Sequence, residues 1–158
     1  MSEALFEYVS VMRTTPQALW TALTEPTSTL AWWGVSIASE WRTGSPMDFT
    51  MRGVTICDEE QRVLVAEPHS TLSYTWHTFS EPWAHAHGFS EQMRLSFAGE
   101  PRSRVEFDLG EMGENVRLTV RHYCAGPTSV VLAAVRQGWP QLVSSLKTLV
   151  ETGQPLNF

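Results

Sequence analysis

The sequence predicts an α+β fold in which a curved antiparallel sheet wraps around one long C-terminal helix. The first observation is an apolar stripe between Ser129 and Val150, whose members recur at steps of three and four residues. The second is an alternation of apolar and polar residues over most of residues 35–124. A helix about 33 Å long cannot bury such a stripe by itself, so it has to lie on the sheet. Because a strongly curved sheet cannot touch a nearly straight helix along its whole length, this layout predicts a cavity between them.

The start of the chain predicts one strand and two short helices. Residues 5–13 are rich in β-branched and aromatic residues, as expected for a strand. Thr15 is followed by Pro16, a pair typical of a helix N-cap and the first helical position. A Glu-Pro pair then breaks this helix, and a second one runs to about Trp33, where Gly34 favours a helix end.

The middle of the chain predicts antiparallel strands interrupted by a helical insertion. Short turns divide its first part into five strands, at residues 35–41, 47–51, 54–57, 62–66 and 72–77. Residues 79–102 lose the alternation and carry helix starts at Ser80 and Ser90, so we expect helices there rather than a long structureless loop. Residues 103–109 and 116–124 alternate again, which indicates a hairpin with one apolar face.

The long helix contains Gly138 and Pro140 in its middle. Proline removes the amide that would bond the carbonyl of Arg136. We therefore expect a kink at this point of the helix.

Composition narrows the classes of protein that the chain can belong to. Its 158 residues are expected to form one domain, 1–158. The net charge of -6 disfavours nucleic-acid binding, which usually needs a basic face. No apolar run reaches the ~18 residues of a membrane span, and the N-terminus lacks the pattern of a secretory signal. Two cysteines in no recognisable framework favour a reduced, cytoplasmic protein.

Several segments together resemble one protein family. They are SEWRTGSP, LSYTW, SRVEFDL, VRLTVRH and GWPQLVSSLKTLVETGQPL, and TTPQALWTALTEP is similar to the first helix of that family. The family is the bacterial branch of the domains named after the activator of the ninety-kilodalton heat-shock chaperone ATPase, within the START-like or SRPBCC superfamily. The resemblance covers nearly the whole chain and implies the helix-grip fold. The superfamily includes lipid-binding proteins, polyketide cyclases, oxygenase subunits and chaperone co-factors, so the resemblance implies no single activity.

Seven tryptophans and seven phenylalanines suggest either a bulky core or an aromatic-lined pocket. We expect the ligand cavity to be lined by the side chains that face the space between sheet and helix: Leu72, Tyr74, Trp76, Phe107, Leu118, Val120, His122, Val135 and Trp139. Tyr74 and Trp76 could offer polar groups to a ligand, and plain core packing is the alternative. His122 could anchor a ligand or act as an acid or base, and a histidine bonded to a backbone group is the alternative.

Three histidines invite a metal site, but the pattern does not favour one. On a helix, His85 and His87 would point about 200° apart, and no carboxylate or cysteine stands at a supporting spacing beside them or beside His77. We therefore expect neither a metal nor a cofactor.

Two other pairs of residues give simple structural expectations. Cys57 and Cys124 are expected to be buried thiols. Trp32 and Trp33 are adjacent on one helix, so at most one of them is expected to face the core.

Three functional hypotheses follow. The first is binding of a small hydrophobic or amphipathic molecule in the cavity, without catalysis. The second is an enzyme of cyclase or hydrolase type that uses His122 or Tyr74. The third is a protein-interaction module that acts on a chaperone ATPase or in a stress response, as the family name implies. Self-association as a homodimer is left open.

Overall fold

The fold is that of a computed structural model, which describes residues 3–77 and 79–157, with side chains from residue 6 onward. Eight strands and five helices are described in these ranges. In chain order they are β1 (Glu3–Met12), α1 (Pro16–Thr24), α2 (Pro26–Trp33), β2 (Ser36–Ser39), β3 (Met47–Met51), β4 (Val54–Ile56), β5 (Val63–Glu67), β6 (Thr71–Thr75), α3 (Glu81–Ala86), α4 (Glu91–Ala98), β7 (Arg104–Met112), β8 (Asn115–Cys124) and α5 (Val130–Thr152).

The strands form two antiparallel sheets. One has the order β1-β8-β7-β6-β5, and the other has the order β2-β3-β4. An isolated bridge between Pro46 and Arg62 joins β3 to β5 and so links the two sheets. The register shifts between Val63 and Val65, and such bulges bend a strand and strengthen its twist. The result confirms the predicted curved antiparallel sheet.

The helices begin and end at the residues that the sequence indicated. Thr15 Oγ1 accepts the amide of Ala18 at 3.1 Å and caps α1. Ser80 and Ser90 cap α3 and α4 in the same way, which confirms the helical insertion. Gly34 ends α2 at a φ of +86°, a backbone conformation that glycine adopts without strain.

Helix α5 lies across the sheet and defines the inner layer of the molecule. It packs against β1, β8, α1, α2 and α4. Its buried face follows helical spacing, with Leu132, Val135, Trp139, Val143 and Leu146 all less than a tenth exposed. This confirms the helix-grip arrangement.

Two of the smaller expectations can be scored. The expectation that Cys57 is buried is wrong, because it follows β4 on an exposed turn, whereas Cys124 is buried as expected. Trp32 is buried and donates its indole N–H to the carbonyl of Ala22 at 2.8 Å. The half-buried Trp33 also packs against the core, on Phe49 and Trp76, so the expectation that at most one of the pair faces the core is wrong. No helix within the described ranges is long and apolar enough to cross a membrane.

Candidate ligand-binding site

A cavity of about 210 Å³ lies between the first half of α5 and the helical insertion. We call it the chamber. Ala134 lines it and is exposed, so the chamber opens to solvent beside this part of α5. Its wall consists of Trp33, Trp76, His77, Phe79, His87, Phe89, Phe97, Val131, Ala134, Val135, Gly138, Trp139 and Leu142.

One face of α5 supplies the floor of the chamber. Val131, Val135, Gly138 and Leu142 follow each other at steps of four, three and four, which places them on one side of the helix. Gly138 has no positive φ, and a Cβ atom built there would meet nothing within 4 Å. The glycine is therefore not required by close packing or by backbone conformation, and it leaves open space at the floor.

Three tryptophans, which we call the tryptophan trio, form one wall. Trp33 stacks on Trp76 with ring centroids 5.2 Å apart and planes 14° apart. Trp139 lies 5.5 Å from Trp76 and 6.5 Å from Trp33. The trio brings together the end of α2, the end of β6 and the middle of α5, so three separate parts of the chain hold this wall in place.

Three phenylalanines, the phenylalanine trio, form a second wall. Phe79 stacks on Phe97 at 4.8 Å, and Phe89 lies 5.3 Å from Phe97. All three come from the insertion or from the segment that leads into it. The ring faces and edges of the two trios make the chamber suited to a flat aromatic guest.

Two histidines connect the two walls. His77 lies 4.9 Å from both Trp76 and Phe79, measured between ring centroids. His87 stacks on Phe89 at 5.2 Å. Burial, together with the positive charge of Arg52, lowers the pKa of His87, so its imidazole is neutral at pH 7.

Two buried polar atoms beside the chamber have no hydrogen-bond partner among the described residues. They are Nε2 of His87 and the indole nitrogen of Trp83. Buried polar groups are usually paired, and among the described residues the hydroxyl of Ser145 in α5 is the one other buried side-chain group without a partner.

A second, polar cavity of about 180 Å³ adjoins the chamber, and we call it the polar pocket. The two cavities share four lining residues, His77, Phe79, Phe97 and Val131. The rest of the polar pocket is lined by Glu60, Ala98, Glu100, Pro101, Arg102 and Ser103. A ligand could therefore place an apolar part in the chamber and a polar part in the pocket.

Arg102, the one arginine or lysine among the described residues that line the polar pocket, is already paired. Its two terminal nitrogens donate to the two carboxylate oxygens of Asp58 at 2.7 and 2.9 Å, and its Nε donates to the carbonyl of Trp76 at 2.6 Å. Burial acts to raise the pKa of Asp58, but the hydrogen bonds and the charge of Arg102 outweigh it and hold this pKa below its usual value. The pair is a closed ion pair rather than a free anion site.

His122 links the chamber wall to the polar pocket. The indole N–H of Trp139 donates to Nδ1 of His122 at 3.1 Å, and Nε2 of His122 lies 2.9 Å from Oγ of Ser103. An indole nitrogen can only donate, so Nδ1 carries no proton and the neutral ring holds its proton on Nε2. His122 therefore donates to Ser103, and both of its ring nitrogens are satisfied.

This arrangement also fixes the protonation of His122. The residue is fully buried, and burial lowers the pKa of His122 to about 3. With its Nε2 proton pointing at Ser103, the imidazole cannot accept the hydroxyl proton of that serine. The Trp139–His122–Ser103 chain is thus a fixed hydrogen-bond relay and lacks the polarity of a serine–histidine nucleophile.

The structure places the nine predicted lining residues in two groups. Trp76, Val135 and Trp139 line the chamber. The other six lie in the packed core behind it and are at most 1 % exposed: Leu72, Tyr74, Phe107, Leu118, Val120 and His122. Burial raises the pKa of Tyr74 far above its usual value, so its hydroxyl stays protonated. Contact of any of the nine with a ligand stays a prediction.

Sequence reasoning missed the part of the wall that the insertion supplies. Phe89 and Phe97 were assigned to no site, and His87 was weighed only as a metal ligand. Within the described ranges, no three histidine, cysteine or acidic side chains gather to hold a metal ion. The available signal was the spacing of aromatic residues at 79, 89 and 97 in a segment with helix starts.

A comparison with protein families gives one clear match. The model described as "Activator of Hsp90 ATPase homolog 1-like protein" matches residues 13–151. None of the proteins with curated functions matches this sequence.

Solved structures give further matches at low identity. A protein from Mesorhizobium loti has a TM-score of 0.67 and 23% identity, over 91% of this chain and 96% of its own. The Aha1 dimer from Colwellia psychrerythraea has a TM-score of 0.67 and 19% identity, over 94% and 96% of the two chains. CalU16 from Micromonospora echinospora has a TM-score of 0.66 and 21% identity, over 95% and 75%. At these identities the likeness concerns the fold alone.

Proposed function

Since this chain belongs to the activator of Hsp90 ATPase homolog 1-like family, we propose that it binds a small, neutral, mainly aromatic molecule in the chamber. The observation that carries the proposal is the open, aromatic-walled space of about 210 Å³. An apolar protein cavity of about 150 Å³ is enough to hold benzene. The chamber therefore has room for a one-ring or small two-ring compound.

The chemistry of the wall favours an uncharged guest. The described residues of the lining are aromatic, aliphatic or histidine, together with Gly138. An ion that entered would lose its hydration without gaining a charged partner, which costs several kcal/mol. A neutral aromatic molecule loses little hydration and gains ring contacts on two sides.

The presence of Gly138 supports ligand binding as the role of the chamber, in preference to packing of the core. A glycine inside a helix costs about 1 kcal/mol relative to alanine. Nothing around Gly138 excludes a side chain, so this cost brings no packing gain. It does leave the floor of the chamber free, which is what a binding site needs.

The experiment fills the chamber from its floor. Gly138→Leu puts a bulky side chain into the space, and Gln137→Leu adds the same side chain at the exposed neighbouring position of α5. We expect Gly138→Leu to weaken the binding of toluene or indole about tenfold or more, because its side chain occupies space at the chamber floor that the ligand would otherwise fill. Gln137→Leu should bind like the parent protein in isothermal titration calorimetry. Equal affinity in the two variants, or no binding to the parent, would refute the proposal.

An enzymatic role has less support. A general base would have to be unprotonated on the nitrogen that faces its substrate, whereas the Nε2 proton of His122 is directed at Ser103. If turnover is found, His122→Ala should affect it no more than a change at the exposed His69 does. A much larger effect of His122→Ala would favour the enzyme.

Two roles at the protein surface stay proposals. The neighbour from Colwellia psychrerythraea is described as a dimer, which makes a homodimer of this chain worth measuring by light scattering. Stimulation of a chaperone ATPase rests on the family description alone. Neither role uses the chamber.

A further inference from the structure

We infer that the ligand carries a neutral carbonyl oxygen, which accepts a hydrogen bond from the hydroxyl of Ser103 while its aromatic ring lies in the chamber. The inference rests on the proposed function, because it requires a ring to occupy the chamber. It adds the chemical class of the ligand, an aromatic ketone, aldehyde or amide, and it assigns Ser103 as the residue that selects that class.

The hydrogen-bond relay determines which way the proton of Ser103 points. Trp139 donates to Nδ1 of His122, so the Nε2–H of His122 donates to Oγ of Ser103. That bond occupies a lone pair of the serine oxygen and leaves the hydroxyl proton to be donated elsewhere. Nothing on the described part of the chain accepts it. The hydroxyl group of the buried Ser103 is therefore a hydrogen-bond donor without an acceptor among the described residues.

The position of Ser103 places this donor where a ligand can meet it. Ser103 is 7% exposed and lines the polar pocket. The pocket and the chamber share His77, Phe79, Phe97 and Val131, so a molecule can extend from one into the other. A molecule whose ring lies between the two aromatic trios can therefore place an oxygen in the polar pocket.

The charges around the polar pocket favour a neutral acceptor over a carboxylate. Glu60 and Glu100 line the pocket. The guanidinium of Arg102 is held by Asp58, so it does not offset the two carboxylates. An anionic ligand would be repelled by like charges, whereas a carbonyl oxygen gains a hydrogen bond without that cost.

Glu100 is itself fixed and cannot turn to serve as the acceptor. Its Oε1 accepts the hydroxyl of Ser129 at 2.6 Å, and its Oε2 accepts the amide of Val130 at 2.7 Å. The carboxylate thus caps the N-terminus of α5, where the helix dipole favours it. The serine proton is left for a molecule from outside.

The experiment uses two ligands of the same shape. Acetophenone carries a carbonyl oxygen, and α-methylstyrene carries a methylene group in its place. We expect the parent protein to bind acetophenone about 2- to 10-fold more tightly, the value of one neutral hydrogen bond. Ser103→Ala should remove this preference and leave the affinity for α-methylstyrene nearly unchanged. Benzoate should bind more weakly than acetophenone.

Infrared spectroscopy gives a readout that a purely structural role of Ser103 would not change. A hydrogen bond lowers the carbonyl stretching frequency of bound acetophenone, and the shift should be absent in Ser103→Ala. If that variant does not fold, Ser103→Cys, which puts a weak donor of similar size in the same place, should reduce the shift instead. An unshifted frequency, equal affinities for the two ligands, or tighter binding of benzoate would overturn the inference while the proposed function stands. If neither ligand binds, the proposed function fails first.

Discussion

Trp139 and Trp83 are buried to nearly the same degree, at 1% and 0% exposed. Of their two indole N–H groups, that of Trp139 has a hydrogen-bond partner among the described residues and that of Trp83 has none. Trp139 lies under the five-stranded sheet and donates to His122. Trp83 lies in α3 of the helical insertion, and its indole nitrogen has no partner among the described residues. The Trp139 indole is paired within the Trp139–His122–Ser103 relay, whereas the insertion leaves the Trp83 indole and Nε2 of His87 unpaired beside the chamber. The chamber therefore lies between a wall that contains the paired indole of Trp139 and an insertion whose buried indole, that of Trp83, is unpaired.

The largest expected effect is the pH dependence of the free energy of unfolding, which arises from His122 in the region under the sheet. The pKa of folded His122 is about 3, far below the value of 6.5 for an unfolded histidine. Between these values the unfolded chain binds a proton that the folded chain does not, so the free energy of unfolding falls as the pH drops below 6.5 and keeps falling to about 3. The slope of about 1.4 kcal/mol per pH unit gives a loss of about 2 kcal/mol between pH 6.5 and 5. Urea titrations at both pH values measure it.

Two variants test whether His122 causes this loss. His122→Gln should remove most of the slope, because glutamine does not titrate. His69→Gln removes a histidine at an exposed turn and should leave the slope as it was. A slope that survives in His122→Gln would show that another group is responsible.

The second prediction compares the two tryptophans directly. Trp139→Phe and Trp83→Phe remove the same atoms, so their loss of volume is matched. Trp139→Phe also leaves Nδ1 of His122 buried without a donor, whereas Trp83→Phe removes an N–H that is already unpaired. We expect Trp139→Phe to cost about 1–3 kcal/mol more in the free energy of unfolding by urea. Equal costs would mean that the two regions do not differ in hydrogen bonding.

The smallest expected effect is an increase in stability, caused by a substitution at the chamber floor. Gly138→Ala adds a methyl group that meets nothing within 4 Å and improves helix propensity. We expect up to about 1 kcal/mol of added stability, or a rise in Tm of about 2–4 °C. Differential scanning calorimetry measures it. A lower Tm would show that the floor at this position is already packed.

The sequence predicted the fold well, because its signals are local. The stripe of α5, the alternation in β7 and β8, and the caps at Thr15, Ser80 and Ser90 each depend on neighbouring residues. Those signals identify inward-facing positions. They do not tell whether an inward-facing residue meets a neighbour or a gap, so six of the nine predicted lining residues turned out to lie in the packed core.

The chamber itself depends on contacts between distant segments. Phe79, Phe89 and Phe97 meet Trp33 and Trp139 across the cavity only when the insertion is folded, with α4 packed against α5. The hydrogen bonds of His122 could not be predicted from the sequence for the same reason. Its alternation with Val120 predicts an inward position, but its partners are Ser103, the residue before β7, and Trp139 of α5.

The pairing of β1 with β8 has a consequence for the synthesis of the protein on the ribosome. Met12 pairs with Val116, 104 positions later. At the usual rates of translation, roughly 5 to 20 seconds pass before the partner of β1 exists. During that time the first strand, with Val9 and Val11 on its outer side, has no neighbour from the sheet that it joins. A nascent chain of this protein therefore exposes an unpaired strand edge until β8 has emerged, and this interval is when it depends most on chaperones that shield such edges.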